Sequence, residues 1–431
     1  MPLALCIIAI IVSIIIGYKF KFNTGIIALG FAFIIGVLVM GMKVNDINAF
    51  FPTIIVFYLI AIAVFFNYAT ENGTMEVLGQ KLLYAMGGNA KLVPIAIALV
   101  SAIVGGLGAG ASTPAIVGPF AFIMAIQAGV DPTLTAVAIA FGNLVGSNNP
   151  FNGYGGVIGL KLITENGASA DQALQSGIYC WINCAIITII VIAFYYIWKK
   201  GYKAQKITVA EPPKFNPIQK KTFIIVMIAF VFMVVPPILA AWIKNPFIKS
   251  LNAFCQPQVI MILAAILCAF LKLGDEKVII RKMPINTIVM IIGVYVLIKV
   301  AAKAGLVEAI SGVLTSSIPK FLVPAAIVFF AAFLSFFSSC TSTVMPLMYP
   351  LVPTLAATMG LNPVMLYTCI FFGGLSTACS PFSTGGAITI AACPDNAIKE
   401  KLSNTMIVAA LVIPLITMIA ATIGLFGFFS V

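Results

Sequence analysis

The chain has 431 residues, 62% of them hydrophobic and 8% charged, with a mean hydropathy of +1.14, which is more apolar surface than a soluble core can bury. Its formal charge of +12 sits in short connecting segments, so it reports orientation in a bilayer and argues against a nucleic-acid partner. Nine cysteines without paired spacing and the absence of histidine argue against a disulfide framework and a structural zinc site.

Apolar runs of the length needed to cross roughly 30 Å of hydrocarbon recur along the sequence. The first, "MPLALCIIAIIVSIIIGYKFKF", has its lysines after the apolar run and no basic residues before it, so it reads as a transmembrane helix and not as a signal peptide. Spans are expected near 3–18, 24–41, 52–70, a paired segment 91–128, 132–163 and 176–198. After a polar linker, 199–221, come 222–243, 255–273, 285–303, a paired segment 320–358, 362–392 and 403–429. The linker carries seven lysines against one glutamate and divides the chain nearly in half.

The halves repeat at an offset of about 231 residues. Pro52 falls on Pro284, Gly73 on Gly305, "GVDP" (129–132) on "GLNP" (360–363), and Pro150 on Pro381, within a residue or two. Each half contains five crossings and one paired segment, and an odd number of crossings brings the second half in from the opposite side. The fold expected is therefore an all-α polytopic membrane protein of two inverted repeats, 1–198 and 222–431, each with five transmembrane helices, one re-entrant hairpin and one broken helix. A cytoplasmic linker would place 17 of the 24 basic residues inside and 7 outside, the asymmetry expected of cytoplasmic loops.

Polar chemistry enters the bilayer at four places. The hairpins meet at "GGLGAGAST" (105–113) and "SSCTST" (338–343), without charge at either tip. The broken helices part at "GSNNPFNGYGG" (146–156) and "TACSPFSTGG" (377–386). Unpaired backbone groups at that depth cost several kcal/mol unless they line a polar cavity or pack in protein. A break exposes the positive end of one half-helix, which attracts an anion, and the carbonyls of the other, which can hold a hard cation. Candidate contacts for the anion are Ser112, Thr113, Asn148, Asn149, Asn152, Gly153, Cys340, Thr341, Ser342, Thr343, Ser383 and Thr384. The three asparagines also suit local turns, and the hydroxyls also suit bonding back to helix carbonyls. Arg281, the only arginine, lies in an expected cytoplasmic loop, and Asp131, Glu71, Glu76 and Glu308 lie near helix ends. An anion would thus be held by hydroxyls, amides and helix ends together with a cation, and a buried carboxylate relay is poorly supported. An intramembrane hydrolase lacks a nucleophile with a base, while an anion channel stays open as an alternative.

At these residues the chain resembles the ion transporter superfamily, in particular the divalent anion/sodium symporters and the malonate and dicarboxylate carriers of the MatC type, over nearly its whole length. Those symporters carry Ser-Asn-Thr at each hairpin tip. "FLSFFSSCTSTVMPLMYP" resembles the second tip, with Ser339-Cys340-Thr341 at the triplet and Cys340 in place of the asparagine. The first tip has Ala109-Gly110-Ala111 there, with Ser112-Thr113 the nearest hydroxyls, and "TGIIALGFAFIIGVLVMGM" and "GLGAGASTPAIVGP" look more like the MatC-type carriers. The resemblance implies a secondary transporter, not an enzyme, that moves a small carboxylate by an elevator-like motion. Sodium would be the coupling ion, expected at Gly110, Ser112, Ser147, Asn148, Ser339, Thr341 and Ser380, with no other cofactor. It further implies a homodimer in a bacterial or archaeal cytoplasmic membrane. A proton-coupled or exchange carrier of a monocarboxylate is the alternative.

Overall fold

The computed structural model describes the chain except residues 21, 87–89, 152, 205–210, 244, 284, 307, 310–311, 313–317, 337–338, 394 and 428–431. The described residues are helical and contain no strand. The first half comprises α1 (Pro2–Phe20), α2 (Thr24–Phe33, extended by a wider turn to Val39), α3 (Val44–Asn48), α4 (Thr53–Glu71), α5 (Thr74–Met86), α6 (Val93–Val104), α7 (Thr113–Gln127), α8 (Pro132–Ser147), α9 (Tyr154–Glu165) and α10 (Ala170–Trp198). The second comprises α11 (Pro217–Trp242), α12 (Pro246–Phe254), α13 (Pro257–Phe270), α14 (Glu276–Arg281), α15 (Ile285–Lys303), α16 (Val323–Phe336), α17 (Met345–Met348), α18 (Leu351–Met359), α19 (Pro363–Leu375), α20 (Thr384–Ala391) and α21 (Asn396–Thr422). By length and composition, Ala170–Trp198, Pro217–Pro236 and Ala397–Thr422 each suffice to cross a membrane.

The run Val93–Gln127 is also long and apolar enough, yet it does not continue straight. Gly108 has φ +108° and Gly110 has φ +50° and ψ −125°, the chain reverses there, and α6 and α7 lie against each other and against α8. Glycine is required at 108 twice over, because a Cβ there would also fall 1.7 Å from the Phe66 ring. The second paired segment bends by 116° between Lys320–Phe336 and Cys340–Met348.

The repeated "GVDP" and "GLNP" motifs have one physical job. Gly129 and Gly360 take left-handed φ of +70° and +57°, ending the arm before them. Asp131 and Asn362 then cap the next helix, accepting from Thr133 N at 2.7 Å and Val364 N at 2.8 Å, and Pro132 and Pro363 fill the first turn, where no donor is needed. The correspondence extends to packing. The counterpart of α2 is α13 and that of α4 is α15; α2 packs on α15 and α4 on α13, so the cross-contacts between halves exchange in pairs. Within the halves, α8 packs on α6 as α19 packs on α16. The close approach of α8 is set by Gly142 and Gly146, whose Cβ positions would lie 2.2 Å from the Ala98 carbonyl and 2.0 Å from the Ala102 carbonyl.

Four short helices, α3, α5, α12 and α14, fall where the sequence reading expected loops. They are too short or too polar to register as spans; α5 buries Met75 and Leu78 while exposing Tyr84. The linker also ends earlier than expected, because Asn216 and Gln219 form a reciprocal cap that starts α11 at Pro217.

Candidate functional site

At the first break, α8 ends at Ser147 and two asparagines close it. Asn148 Nδ2 donates to Leu144 O at 2.7 Å and Asn149 Nδ2 to Gly146 O at 2.8 Å, while Asn149 Oδ1 accepts from Phe151 N at 3.1 Å. The amides thus add a second bond to carbonyls at the helix end that also accept from the Asn148 and Asn149 N–H groups. At the second break hydroxyls bond the helix-end carbonyls: Ser376 Oγ donates to Gly373 O at 2.6 Å and Thr377 Oγ1 to Gly374 O at 3.4 Å. Ser380 Oγ donates to Phe336 O at 2.9 Å and accepts from Phe382 N at 3.2 Å, tying this break to the second hairpin. Ser383 caps α20, accepting from Gly386 N at 3.2 Å and donating to Ser380 O at 2.8 Å.

The hairpin tips meet these breaks. At the first tip Thr113 is fully buried and Asn143, on α8, is 8% exposed; Thr113 Oγ1 and Asn143 Oδ1 both lack a hydrogen-bond partner. Both face one point beside Gly105: the position a Cβ would occupy there is 2.5 Å from Asn143 Oδ1, 3.2 Å from Asn143 O and 3.3 Å from Thr113 Oγ1. Thr113 Oγ1, which can donate as well as accept, and Asn143 Oδ1 are thus two buried oxygens left without a partner beside Gly105. At the second tip Ser339 Oγ and Thr341 Oγ1 are 3.2 Å apart, Cys340 Sγ donates to Phe371 O at 3.4 Å, and Ser342 Oγ is buried without a partner.

Between tips and breaks lies a cavity of about 140 Å³. Its polar lining is Asn143, Ser147, Asn148, Tyr154, Ser335, Ser339, Cys340, Thr341 and Ser383, completed by small or aliphatic residues from Ala111, Leu144, Gly374, Leu375, Ala378 and Gly385. Both halves contribute, and among the described residues no charged side chain lines it. Among the described residues no cluster of His, Cys, Asp or Glu is placed to hold a metal.

Of the residues singled out in the sequence, Ser147, Asn148, Ser339, Cys340, Thr341 and Ser383 come together on this cavity. Ser112 is exposed. Gly110, Thr113, Asn149, Gly153, Ser342, Thr343 and Ser380 stand outside the lining, and Asn149, Ser380 and Ser383 commit polar atoms to the backbone around them. Asn152 and the side chain of Thr384 fall outside the described residues. Asn143, Tyr154 and Ser335 were missed. Asn143 had a signal, an amide inside the otherwise apolar run "AVAIAFGNLVG"; Tyr154 and Ser335 had none beyond adjacency to a break or tip.

Comparison with known proteins bears on this arrangement. Residues 1–147 match the family model for the N-terminus of the dicarboxylate carrier protein MatC. The MatC-type resemblance read from the first helices and first hairpin is therefore met over that third of the chain. No curated protein matches the chain. Among solved structures it is similar to the YdaH transporter of Alcanivorax borkumensis, with a TM-score of 0.58 and 14% identity over 89% of this chain and 87% of that one. It is also similar to MtrF of Neisseria gonorrhoeae, which represents a class of antimetabolite efflux pumps, with a TM-score of 0.53 and 14% identity over 98% and 94%. The matched family and both structures are transporters, none an enzyme, and the chain shares their multi-pass fold.

Proposed function

We propose that this protein is a secondary active transporter of small organic anions, a Na⁺-coupled carrier of di- or tricarboxylates. The observation that carries this reading is the uncharged central cavity, built from the tips and breaks of both halves. Such a cavity offers hydroxyl and amide donors and two half-helix N-termini to a carboxylate, and it leaves the compensating charge to a co-bound cation. The oxygens of Asn143 and Thr113 beside Gly105 are the site we assign to that ion. Among the described residues no carboxylate lines the cavity, which favours a metal cation over a proton as the coupling ion in this reading.

In this reading the halves are inverted repeats, and the hairpins with α8, α9, α19 and α20 form a transport domain that moves against α1, α2, α4, α11, α13 and α15 in an elevator-like step. The chain would act as a homodimer. A second cavity of about 420 Å³, lined by Asn166, Gln172, Gln175, Asn362 and Tyr367, shares Ile163 with a small void that in turn shares Asn148 with the central cavity. This supports entry from the side where loops 165–170 and 360–363 lie.

The test is uptake of a radiolabelled C3, C4 and C6 carboxylate panel into proteoliposomes under an inward Na⁺ gradient, an inward H⁺ gradient, or neither. Accumulation of a di- or tricarboxylate under Na⁺ alone is expected. Accumulation under H⁺ alone would overturn the ion assignment, and uptake that never saturates would favour a channel.

A further inference from the structure

We infer that Tyr154 sets the longest anion the central site admits, an inference that rests on the carrier reading above. Tyr154 opens α9 directly after the first break and, among the described residues, is the only aromatic side chain on the cavity lining. Tyr154 and Thr341, at the second hairpin tip, share the cavity lining, and Thr341 Cγ2 lies 3.2 Å from the Cβ position of the neighbouring Gly155, so the start of α9 meets a tip of the second half. At the same place in the other half, the residue opening α20 after the second break is Thr384. By residue type, the break of the first half is followed by a phenol and that of the second by a short hydroxyl residue.

The volume makes this asymmetry consequential. A cavity of about 140 Å³ is small, on the scale of a few waters at about 30 Å³ each, so the reach of one large side chain on its lining bears directly on the length of anion it can hold. The rest of the lining is small or medium-sized, so Tyr154 is the side chain whose truncation lengthens the cavity most. Each methylene that a site must reject or accept is worth roughly 10- to 200-fold in discrimination.

The experiment compares the wild type with Tyr154→Phe, Tyr154→Thr and Tyr154→Ala in proteoliposomes, using malonate, succinate and adipate in competition, and in parallel measures stabilisation of the detergent-purified proteins by each acid. The wild type is expected to favour malonate or succinate. Tyr154→Thr and Tyr154→Ala are expected to raise the adipate-to-succinate ratio about tenfold or more, while Tyr154→Phe keeps the wild-type ratio and lowers uptake of all three. A merely structural role would lower all three acids equally in every variant, and an unchanged ratio in Tyr154→Ala, by uptake or by stabilisation, overturns the inference with the carrier reading intact. Failure of any acid to be carried by, or to stabilise, the wild type overturns the carrier reading and this one with it.

Discussion

Two adjacent glycines at the second break have opposite surroundings, and the pair provides a test with an internal control. A Cβ on Gly386 would lie 2.0 Å from Ser380 O and 2.7 Å from Cys379 O, both backbone atoms, whereas a Cβ on Gly385 would meet only Ala378 O at an ordinary 3.5 Å. Gly386→Ala must therefore push the chain of the break outward by more than 1 Å, since unstrained contacts begin above 3 Å. Overpacking of this kind costs about 1–3 kcal/mol, and the shift also strips the cap in which Gly386 N donates to Ser383 Oγ, worth about 1 kcal/mol. Gly385→Ala should cost less than about 0.5 kcal/mol, as substitutions without such a mechanism do. All nine cysteines are free and buried, so a thiol-reactive fluorogenic dye reads unfolding of the purified protein directly. Gly386→Ala is expected to melt several degrees below the wild type and Gly385→Ala within a degree of it. The first break repeats the arrangement, a Cβ on Gly156 falling 2.2 Å from Asn149 O, so Gly156→Ala should behave as Gly386→Ala. Equal melting of Gly385→Ala and Gly386→Ala would refute the claim that the first turn of α20 is packed under the break.

Asn143→Ala removes an oxygen that has no partner in the protein; it should leave the sodium-free stability within about 1 kcal/mol of the wild type while abolishing stabilisation by added NaCl over KCl, and undiminished stabilisation would move the ion elsewhere. Glu76, on α5, has its carboxyl held above the usual range by desolvation on burial, with Lys282 opposing. A raised native value means that the folded protein takes up the proton first, so its contribution to stability falls as pH rises through that value. Glu76→Gln should then melt higher than the wild type at neutral pH, with the gap closing as pH falls toward about 4.3. Glu165 at the end of α9 accepts from the Tyr295 hydroxyl and pairs with Lys299 at 3.7 Å, both on α15. Glu165→Gln and Lys299→Met should each cost about 0.2–1 kcal/mol, and the double variant no more than either alone; additive losses would show that the pair is not coupled.

Much of this architecture could be read from the chain because membrane depth makes polarity expensive. The glycine and hydroxyl runs at 105–113 and 338–343 and the amide- and proline-rich stretch at 146–156 stand out against apolar neighbours, and "GVDP" and "GLNP" mark the same turn twice. What the sequence could not show is where each polar atom is spent. Asn149 and Ser380 look like Asn148 and Thr341 on paper, but the first two bond carbonyls at helix ends and the hairpin, whereas Thr341 turns to the cavity. That choice depends on which carbonyls the fold brings within hydrogen-bond reach. Asn143 was hidden for a related reason: it lies within the helix, one turn before the visible break, and only the packing of α8 on α6 brings Gly105 and Thr113 to its side chain.

In the proposed reading the halves are repeats that differ in chemistry, and the differences gather where a carrier needs a direction. If the two end states arise by the halves exchanging conformations, as proposed, every contact between the moving and fixed parts has a counterpart formed in the opposite state. The Glu165, Tyr295 and Lys299 cluster joins α9 to α15 in this state. The positions one repeat away, at the spacings set by Pro52 and Pro284, Gly73 and Gly305, and Tyr154 and Thr384, hold Asp395, Ala63 and Asn67, which contain no charged pair. The state seen here therefore has an ion pair that its mirror state cannot form, a bias of up to about 1 kcal/mol, or roughly fivefold in population. Identical halves would leave the two states equal in energy; it is the substitutions between them that decide which way the empty protein rests.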